Sequence, residues 1–129
     1  MRHRHFSFAQ ESTRYVNYEK RGFEFVLPVG ISGAEDTIIR IACHNAARAY
    51  ETLLDQGTTP QVARAVLPLC TATEIVVSGN FREWRHFLKL RTAPDAHPQM
   101  RALTLPLLER LQPMIPVVFD DIQPEVSNG

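Results

Sequence analysis

Apolar residues recur at helical spacing through the middle of the chain. Between Glu35 and Gln56 they stand at Ile38, Ile41, Ala42, Ala46, Ala49, Tyr50, Leu53 and Leu54. This spacing lines one face of an α-helix, and Gly57 supplies a stop signal directly after it. The pattern predicts a long helix over residues 35–56, whose apolar stripe packs in the core or against another subunit.

The segments on either side of this helix predict shorter elements. Residues 15–29 alternate aromatic and charged side chains, which favours a strand or an extended connection. Thr59 and Pro60 suit the start of a short helix that carries Arg64 and ends at Pro68. The β-branched run over residues 71–78 favours a strand that leads into Gly79.

Two further helices are predicted in the C-terminal half. Asn80 and Glu83 have the spacing of a capping box, and Phe81, Trp84 and Leu88 form the apolar side of the helix that follows. Another helix begins at Pro98, and Pro106 inside it is expected to kink or break it. Its candidate packing residues are Met100, Leu103, Leu107, Leu108 and Leu111.

Together these elements predict an α+β fold with a long helix and further helices packed on a small sheet. We expect a single domain over residues 1–122 and a flexible tail over residues 123–129, because no internal repeat or second domain is visible. At 129 residues the chain is small for a protein that holds several large ligands, so sites shared between subunits are expected.

Charge and composition exclude several classes of protein. The 14 basic and 14 acidic residues cancel, so no global cationic field attracts nucleic acid or an anionic membrane. The longest apolar runs fall far short of the about 20 residues that a membrane helix needs, and no secretory h-region follows Met1. A cytoplasmic location is therefore expected. Cys43 and Cys70 lack C-x-x-C spacing and are expected to be reduced, buried thiols.

The N-terminal segment carries the densest chemistry. Residues 2–15 combine three Arg, two His and several hydroxyls, and in an extended chain Arg2, Arg4, Phe6 and Phe8 would face one way and His3, His5 and Ser7 the other. Guanidinium groups suit phosphate. A metal site at the two histidines is not expected, because no Cys or carboxylate stands at ligand spacing. A nucleic-acid arm is an alternative that the neutral net charge disfavours, and simple solvation of the arginines is another.

Three blocks carry a family resemblance. Residues 2–15 follow the pattern R-H-R-x-x-S-x-x-x-x-S-x-R-Y, the second block is A-R-A-V-L-P at residues 63–68, and the third is G-N-F-R-E-W-R-H-F-L-K-L-R at residues 79–91. In content, order and separation these blocks resemble the flavin-dependent thymidylate synthases, and the resemblance extends to about Asp121. It implies the C-terminal part of that family's fold, because members carry a further segment before the first block.

The resemblance also implies an activity and its cofactors. Members methylate dUMP to dTMP with methylenetetrahydrofolate as carbon donor and with FAD, reduced by NADPH, as hydride donor. It implies a homo-oligomer, in this family a tetramer. From the charge and the spacing described above, neither nucleic acid, nor a membrane, nor a metal is expected as a partner. Ala9 stands where the family has Asn or Ser. Gln99 lies in a segment that usually contains a Glu, and Gln99 cannot carry its charge. The alternative is therefore a noncatalytic member that binds flavin or nucleotide only.

Site residues follow from the same resemblance. The expected flavin contacts are Arg2, His3, Arg4, Gln10, Asn80, Arg82 and His86. The expected dUMP contacts are Gln10, Ser12, Thr13, Arg14, Arg64 and Arg91.

Among these residues, Arg91 is also the expected catalytic residue, because the family's arginine faces the pyrimidine and stabilises charge at N3 and O4. Its position at a helix C-terminus would also suit a simple dipole interaction, and Asn80 suits a simple cap equally well. Ser12 is expected to form hydrogen bonds rather than act as a nucleophile, since no Asp-His pair supports it.

Overall fold

The computed structural model describes residues 3–124, apart from the side chain of Glu19. The expected flavin contact Arg2 and residues 125–129 of the expected tail lie outside the described residues. The strands are β1 (Ser7–Gln10) and β2 (Ile75–Ser78), which pair in a two-stranded sheet. The helices are α1 (Tyr18–Arg21), α2 (Gly33–Asp55), α3 (Pro60–Ala63), α4 (Phe81–Arg91) and α5 (Pro98–Met114), with a 3-10 turn at Arg64–Val66. The α+β class with a long helix and a small sheet is confirmed.

The chain divides into two compact units. The first unit contains the residues up to Phe8 and those from Val77 onward, and the second unit contains Ala9–Val76. The boundary between the units falls within β1 and again within β2, so each strand has residues in both units. The expectation of one domain over residues 1–122 stays a prediction.

The core of the second unit is aromatic. Tyr18, Tyr50 and Ala63 are buried together, with Phe23 stacked on Tyr18 at 5.4 Å between ring centroids. The prediction of an extended chain over residues 15–29 was wrong at α1, because a helical turn places the Tyr18 ring edge-on to Tyr50, at 5.8 Å. Such a distant contact leaves no local signal in the sequence.

Helix α2 confirms the prediction over residues 35–56 and begins slightly earlier, at Gly33. Gly57 has φ +82° and donates its N–H to the Leu54 carbonyl, which ends the helix as its residue type predicts. Only part of the apolar stripe is covered. Cys43 and Tyr50 are buried, whereas Ile38 is 66% exposed and Ile41 56% exposed. The N-terminal half of α2 therefore presents an apolar face that this unit does not cover.

The two cysteines lie side by side in the second unit. Both are free thiols, with Cys43 buried and Cys70 partly buried, and their sulfur atoms are 3.4 Å apart. Burial and the neighbouring thiol raise the pKa of Cys43. The predicted reduced state agrees with this arrangement.

The core of the first unit lies between α4 and α5. It consists of Leu88, Leu108, Phe119 and Ile122, and Trp84 and Phe87 pack against it from α4. The predicted cap of α4 is confirmed, because Asn80 Oδ1 accepts a hydrogen bond of 3.0 Å from the Glu83 N–H. The structure thus confirms the helix over residues 81–91 and its start.

One expectation for α5 was wrong, because Leu103, predicted to pack, is 71% exposed. Of the two outcomes predicted for Pro106, a kink or a break, the structure excludes the break, since the helix continues to Met114. Buried groups on both sides of the proline, Thr104 and Leu108, anchor the helix, and tertiary packing of this kind outweighs a local proline penalty of about 3 kcal/mol. Among the described helices, none combines the length and the apolar character needed to cross a membrane.

Candidate functional site

A cavity in the second unit gathers four of the expected dUMP contacts. Its volume is about 470 Å³, within the usual range for small-molecule sites. The lining residues are Gln10, Glu11, Ser12, Thr13, Arg64, Leu67, Pro68, Leu69, Thr71 and Thr73. A guanidinium, hydroxyls and an amide, together with apolar side chains, suit a phosphorylated organic molecule.

Arg64 is fixed at the edge of this cavity. It follows directly after α3, where the buried Ala63 anchors the chain. Its Nη1 donates to Thr13 Oγ1 at 3.0 Å, and its Nε donates to the Gln61 carbonyl at 3.2 Å. These two bonds hold the guanidinium plane and leave its remaining N–H groups for an anion.

Arg14 is held nearby but does not line the cavity. Its Nη2 donates to Gln61 Oε1 at 2.9 Å, and its guanidinium carbon lies 5.3 Å from the centre of the Tyr15 ring. Ser12 Oγ accepts a hydrogen bond of 3.4 Å from the Arg14 N–H, which closes a local turn. Gln61, which contacts both arginines, was missed in the sequence. Its only signal there is its position three residues before Arg64.

An ion-paired group adjoins the same cavity and was also missed. Arg21 Nη1 donates to both carboxylate oxygens of Glu11 at 2.5 Å, and Arg21 Nη2 donates to Glu74 Oε1 at 3.0 Å. The Glu11 N–H also donates to the Glu74 carbonyl at 2.9 Å, and Thr73 Oγ1 donates to the Glu11 carbonyl at 3.2 Å. Glu11 is therefore fixed by its backbone as well as by its side chain.

The first unit brings a second set of expected residues together. Residues 3–6 form a turn, closed by the Phe6 N–H and the His3 carbonyl at 3.4 Å, so the alternation of faces that an extended chain would give does not apply before Ser7. The turn places His3 edge-on to Phe87 of α4, at 5.0 Å between ring centroids, and 6.2 Å from His86. Aromatic packing against α4 thus outweighs the extended conformation.

The Phe6 ring in this turn explains why residue 79 is a glycine. A Cβ atom on Gly79 would overlap the Phe6 ring, which packs against Trp84 at 4.9 Å. Gly79 is therefore required for close approach, since its φ is not in the left-handed region. The turn over residues 3–6 and the start of α4 are locked together by this contact.

Arg91 is tied to the same histidine. Its Nε donates to His3 Nε2 at 3.1 Å. The C-terminus of α4 lies against Thr104, whose buried hydroxyl is within hydrogen-bonding distance of the Arg91 carbonyl, at 2.8 Å, and of the Met100 carbonyl, at 2.9 Å. Thr104 was missed in the sequence, because its partner lies on another helix.

The other expected flavin contacts are more exposed. Arg4, Arg82 and His86 are all solvent-exposed, and Asn80 uses its Oδ1 for the helix cap. Arg82 lines a surface groove with Phe81, Arg85 and Asp120. In that groove Arg85 donates to both carboxylate oxygens of Asp121, at 2.6 and 2.7 Å, which holds the pKa of Asp121 well below its usual value.

No group of three or more His, Cys, Asp or Glu side chains within residues 3–124 is arranged to hold a metal ion.

The family model described as "Thymidylate synthase complementing protein" matches residues 1–117. The chain belongs to this family.

Relatives within the family are named flavin-dependent thymidylate synthases. The one from Mycolicibacterium gilvum is 40% identical over 140 aligned positions, which cover 95% of this chain and 55% of the relative. The one from Geobacter sulfurreducens is 36% identical over 131 positions, which cover 100% of this chain and 56% of the relative. The chain thus spans about half the length of the curated relatives it matches.

Solved structures agree on the fold. Thymidylate synthase X from Helicobacter pylori, in crystal structures with FAD and dUMP, matches with a TM-score of 0.71 at 22% and 23% identity. Each match covers 94% of this chain and 64% of the other. The chain therefore has a partial thymidylate synthase X fold, as the sequence blocks led us to expect.

Proposed function

We propose that this chain is part of a flavin-dependent thymidylate synthase, which methylates dUMP to dTMP. The observation that carries the proposal is the cavity of the second unit, which Gln10, Ser12, Thr13 and Arg64 line in a chain that belongs to this family. In this proposal the phosphate of dUMP is bound by Arg64 and the adjacent hydroxyls. The volume of about 470 Å³ is sufficient for a mononucleotide.

Arg14 has a supporting role in this proposal. It is exposed and bonded to Gln61, which in turn accepts a bond from Arg64 through its backbone carbonyl. The two arginines are therefore connected through one residue, and both contribute positive charge near the cavity. Charge-assisted bonds of this kind are the usual basis of phosphate recognition.

The proposed flavin contacts are His3, Arg4, Gln10, Asn80, Arg82 and His86, together with Arg2, which lies outside the described residues. The cluster of His3, His86 and Phe87 fits such a cofactor, because it combines aromatic faces with ring nitrogens. When bound, FAD reduced by NADPH would supply the hydride that the methylation requires. The protein residues would bind and orient it.

Arg91 is the proposed catalytic residue. Its Nε is bonded to His3, and its carbonyl is held by Thr104, so the guanidinium is fixed before any ligand binds. A preorganised cation of this kind stabilises negative charge that develops on a pyrimidine ring at N3 and O4. His3 is itself a proposed flavin contact. Its bond to Arg91 would therefore make the orientation of Arg91 depend on flavin binding.

The remaining parts of the proposal are methylenetetrahydrofolate as carbon donor, a homotetramer and a cytoplasmic location. The exposed apolar face of α2, with Ile38 and Ile41, supports subunit association, because this unit leaves it uncovered. The alternative is a member that binds flavin or nucleotide without turnover, which the departures from the family pattern at Ala9 and Gln99 favour.

Visible spectroscopy tests the proposal. The protein is loaded with FAD, reduced with NADPH under anaerobic conditions, and given dUMP with methylenetetrahydrofolate. A synthase regains the oxidised flavin spectrum and forms dTMP, whereas a binding-only member retains FAD or dUMP without forming dTMP. A colourless protein that retains neither FAD nor dUMP would contradict both.

A further inference from the structure

The proposed phosphate cavity contains a group that should oppose its ligand. Among the described residues that line it, Glu11 alone carries a carboxylate, and it lies beside Ser12 and two positions from Thr13. A negative charge there partly cancels the field of Arg64 and repels a phosphate. A cavity built for an anion therefore needs a partner for Glu11.

Arg21 provides this partner from α1. Its Nη1 contacts both oxygens of the Glu11 carboxylate, at 2.5 Å each. Its Nη2 also contacts Glu74 at 3.0 Å, but the Glu74 side chain is 79% exposed and does not line the cavity. Solvent screens that second carboxylate more strongly than Glu11, whose side chain is 30% exposed.

The contact is not needed to hold the backbone in place. The Glu11 N–H bonds to the Glu74 carbonyl, and the Glu11 carbonyl accepts from Thr73 Oγ1. These bonds fix the strand end without the Arg21 side chain. An exposed ion pair also contributes little to folding, so its main effect is on the charge in the cavity.

We propose that Arg21 is a positioning residue that neutralises Glu11 and orients its carboxylate, so that Arg64 can hold a phosphate monoester in the cavity. The inference rests on the proposed function and deepens it. It assigns affinity for the phosphate, but not for the base or sugar, to a residue outside the cavity wall.

A double-mutant cycle tests the inference. Wild type, Arg21→Met, Glu11→Gln and the double variant are titrated calorimetrically with dUMP and, as a ligand without phosphate, with deoxyuridine. Arg21→Met should weaken dUMP binding about tenfold and leave deoxyuridine binding unchanged, because an unpaired carboxylate acts on the phosphate alone. Removing that carboxylate as well, in the double variant, should restore dUMP affinity to within about twofold of wild type. Arg21→Lys, which keeps the charge, should lie close to wild type.

The outcomes separate the two proposals. If wild type binds neither ligand, the proposed function fails and the inference fails with it. If wild type binds dUMP and Arg21→Met binds it equally well, only the inference is wrong. Equal losses for both ligands, or a double variant that stays weak, would show a structural effect of Arg21 and also overturn the inference. Circular dichroism and thermal melting of each variant show whether the fold is retained.

Discussion

Replacing Arg64 with alanine should remove the main phosphate contact of the cavity. In the structure two of its N–H groups are already used, one by Thr13 Oγ1 and one by the Gln61 carbonyl. The remaining N–H groups are held in place for a ligand. A hydrogen bond to a charged group contributes about 1.5–3 kcal/mol, so the loss corresponds to roughly 10- to 150-fold weaker dUMP binding.

Calorimetric titration with dUMP and deoxyuridine measures this loss directly. The affinity for dUMP should fall, and that for deoxyuridine should change little, because the base and sugar do not contact the guanidinium in this account. Arg48→Ala is the matched control, since Arg48 is an exposed arginine of α2 that does not line the cavity. Unchanged dUMP binding in Arg64→Ala, or an equal loss in Arg48→Ala, would refute the reasoning.

Three further variants test the contacts that stabilise the first unit. Thr104→Val should lower the free energy of unfolding by about 1–2 kcal/mol in urea, because the buried hydroxyl that bonds the Arg91 or Met100 carbonyl is lost. Gly79→Ala should lower it by about 1–3 kcal/mol, since the new methyl group overlaps the ring packed against it. Asp121→Asn should destabilise the protein at neutral pH but much less in acid. Because Arg85 holds the pKa of Asp121 below its ordinary value in the folded state, the stabilisation is present above about pH 3.9 and is lost as the pH falls below it.

Matched measurements give these predictions their controls. Thr52→Val removes a similar hydroxyl bond on the exposed side of α2 and should cost less than Thr104→Val. Equal costs would mean that burial at Thr104 is unimportant. Full stability of Gly79→Ala would contradict the close approach of Phe6. A loss in Asp121→Asn that is the same at neutral and acid pH would contradict the ion pair with Arg85.

Local signals in the sequence predicted the long helices well. Helix α2 follows from its spacing and from Gly57, and α4 follows from the cap at Asn80, because these signals lie within a few residues of the elements they define. The turn over residues 3–6 could not be predicted. His3 and Phe6 pack on Trp84 and Phe87, about eighty positions away in the chain, and this distant contact determines their conformation.

The residues of the candidate site could likewise be predicted only where local sequence identifies them. Ser12, Thr13 and Arg64 could be named through the family pattern, and the structure brings them to one cavity. Arg21 and Gln61 could not be named, because each acts on a site residue through a side-chain contact between separate segments. Pattern and spacing identify residues that touch a ligand more readily than the residues that hold them.

A crystal structure of the protein with dUMP tests the central claim most directly. The account predicts phosphate density in the cavity of the second unit, within hydrogen-bonding distance of the Arg64 guanidinium and the hydroxyls of Ser12 and Thr13. A nucleotide bound elsewhere, with this cavity filled only by water, would contradict it.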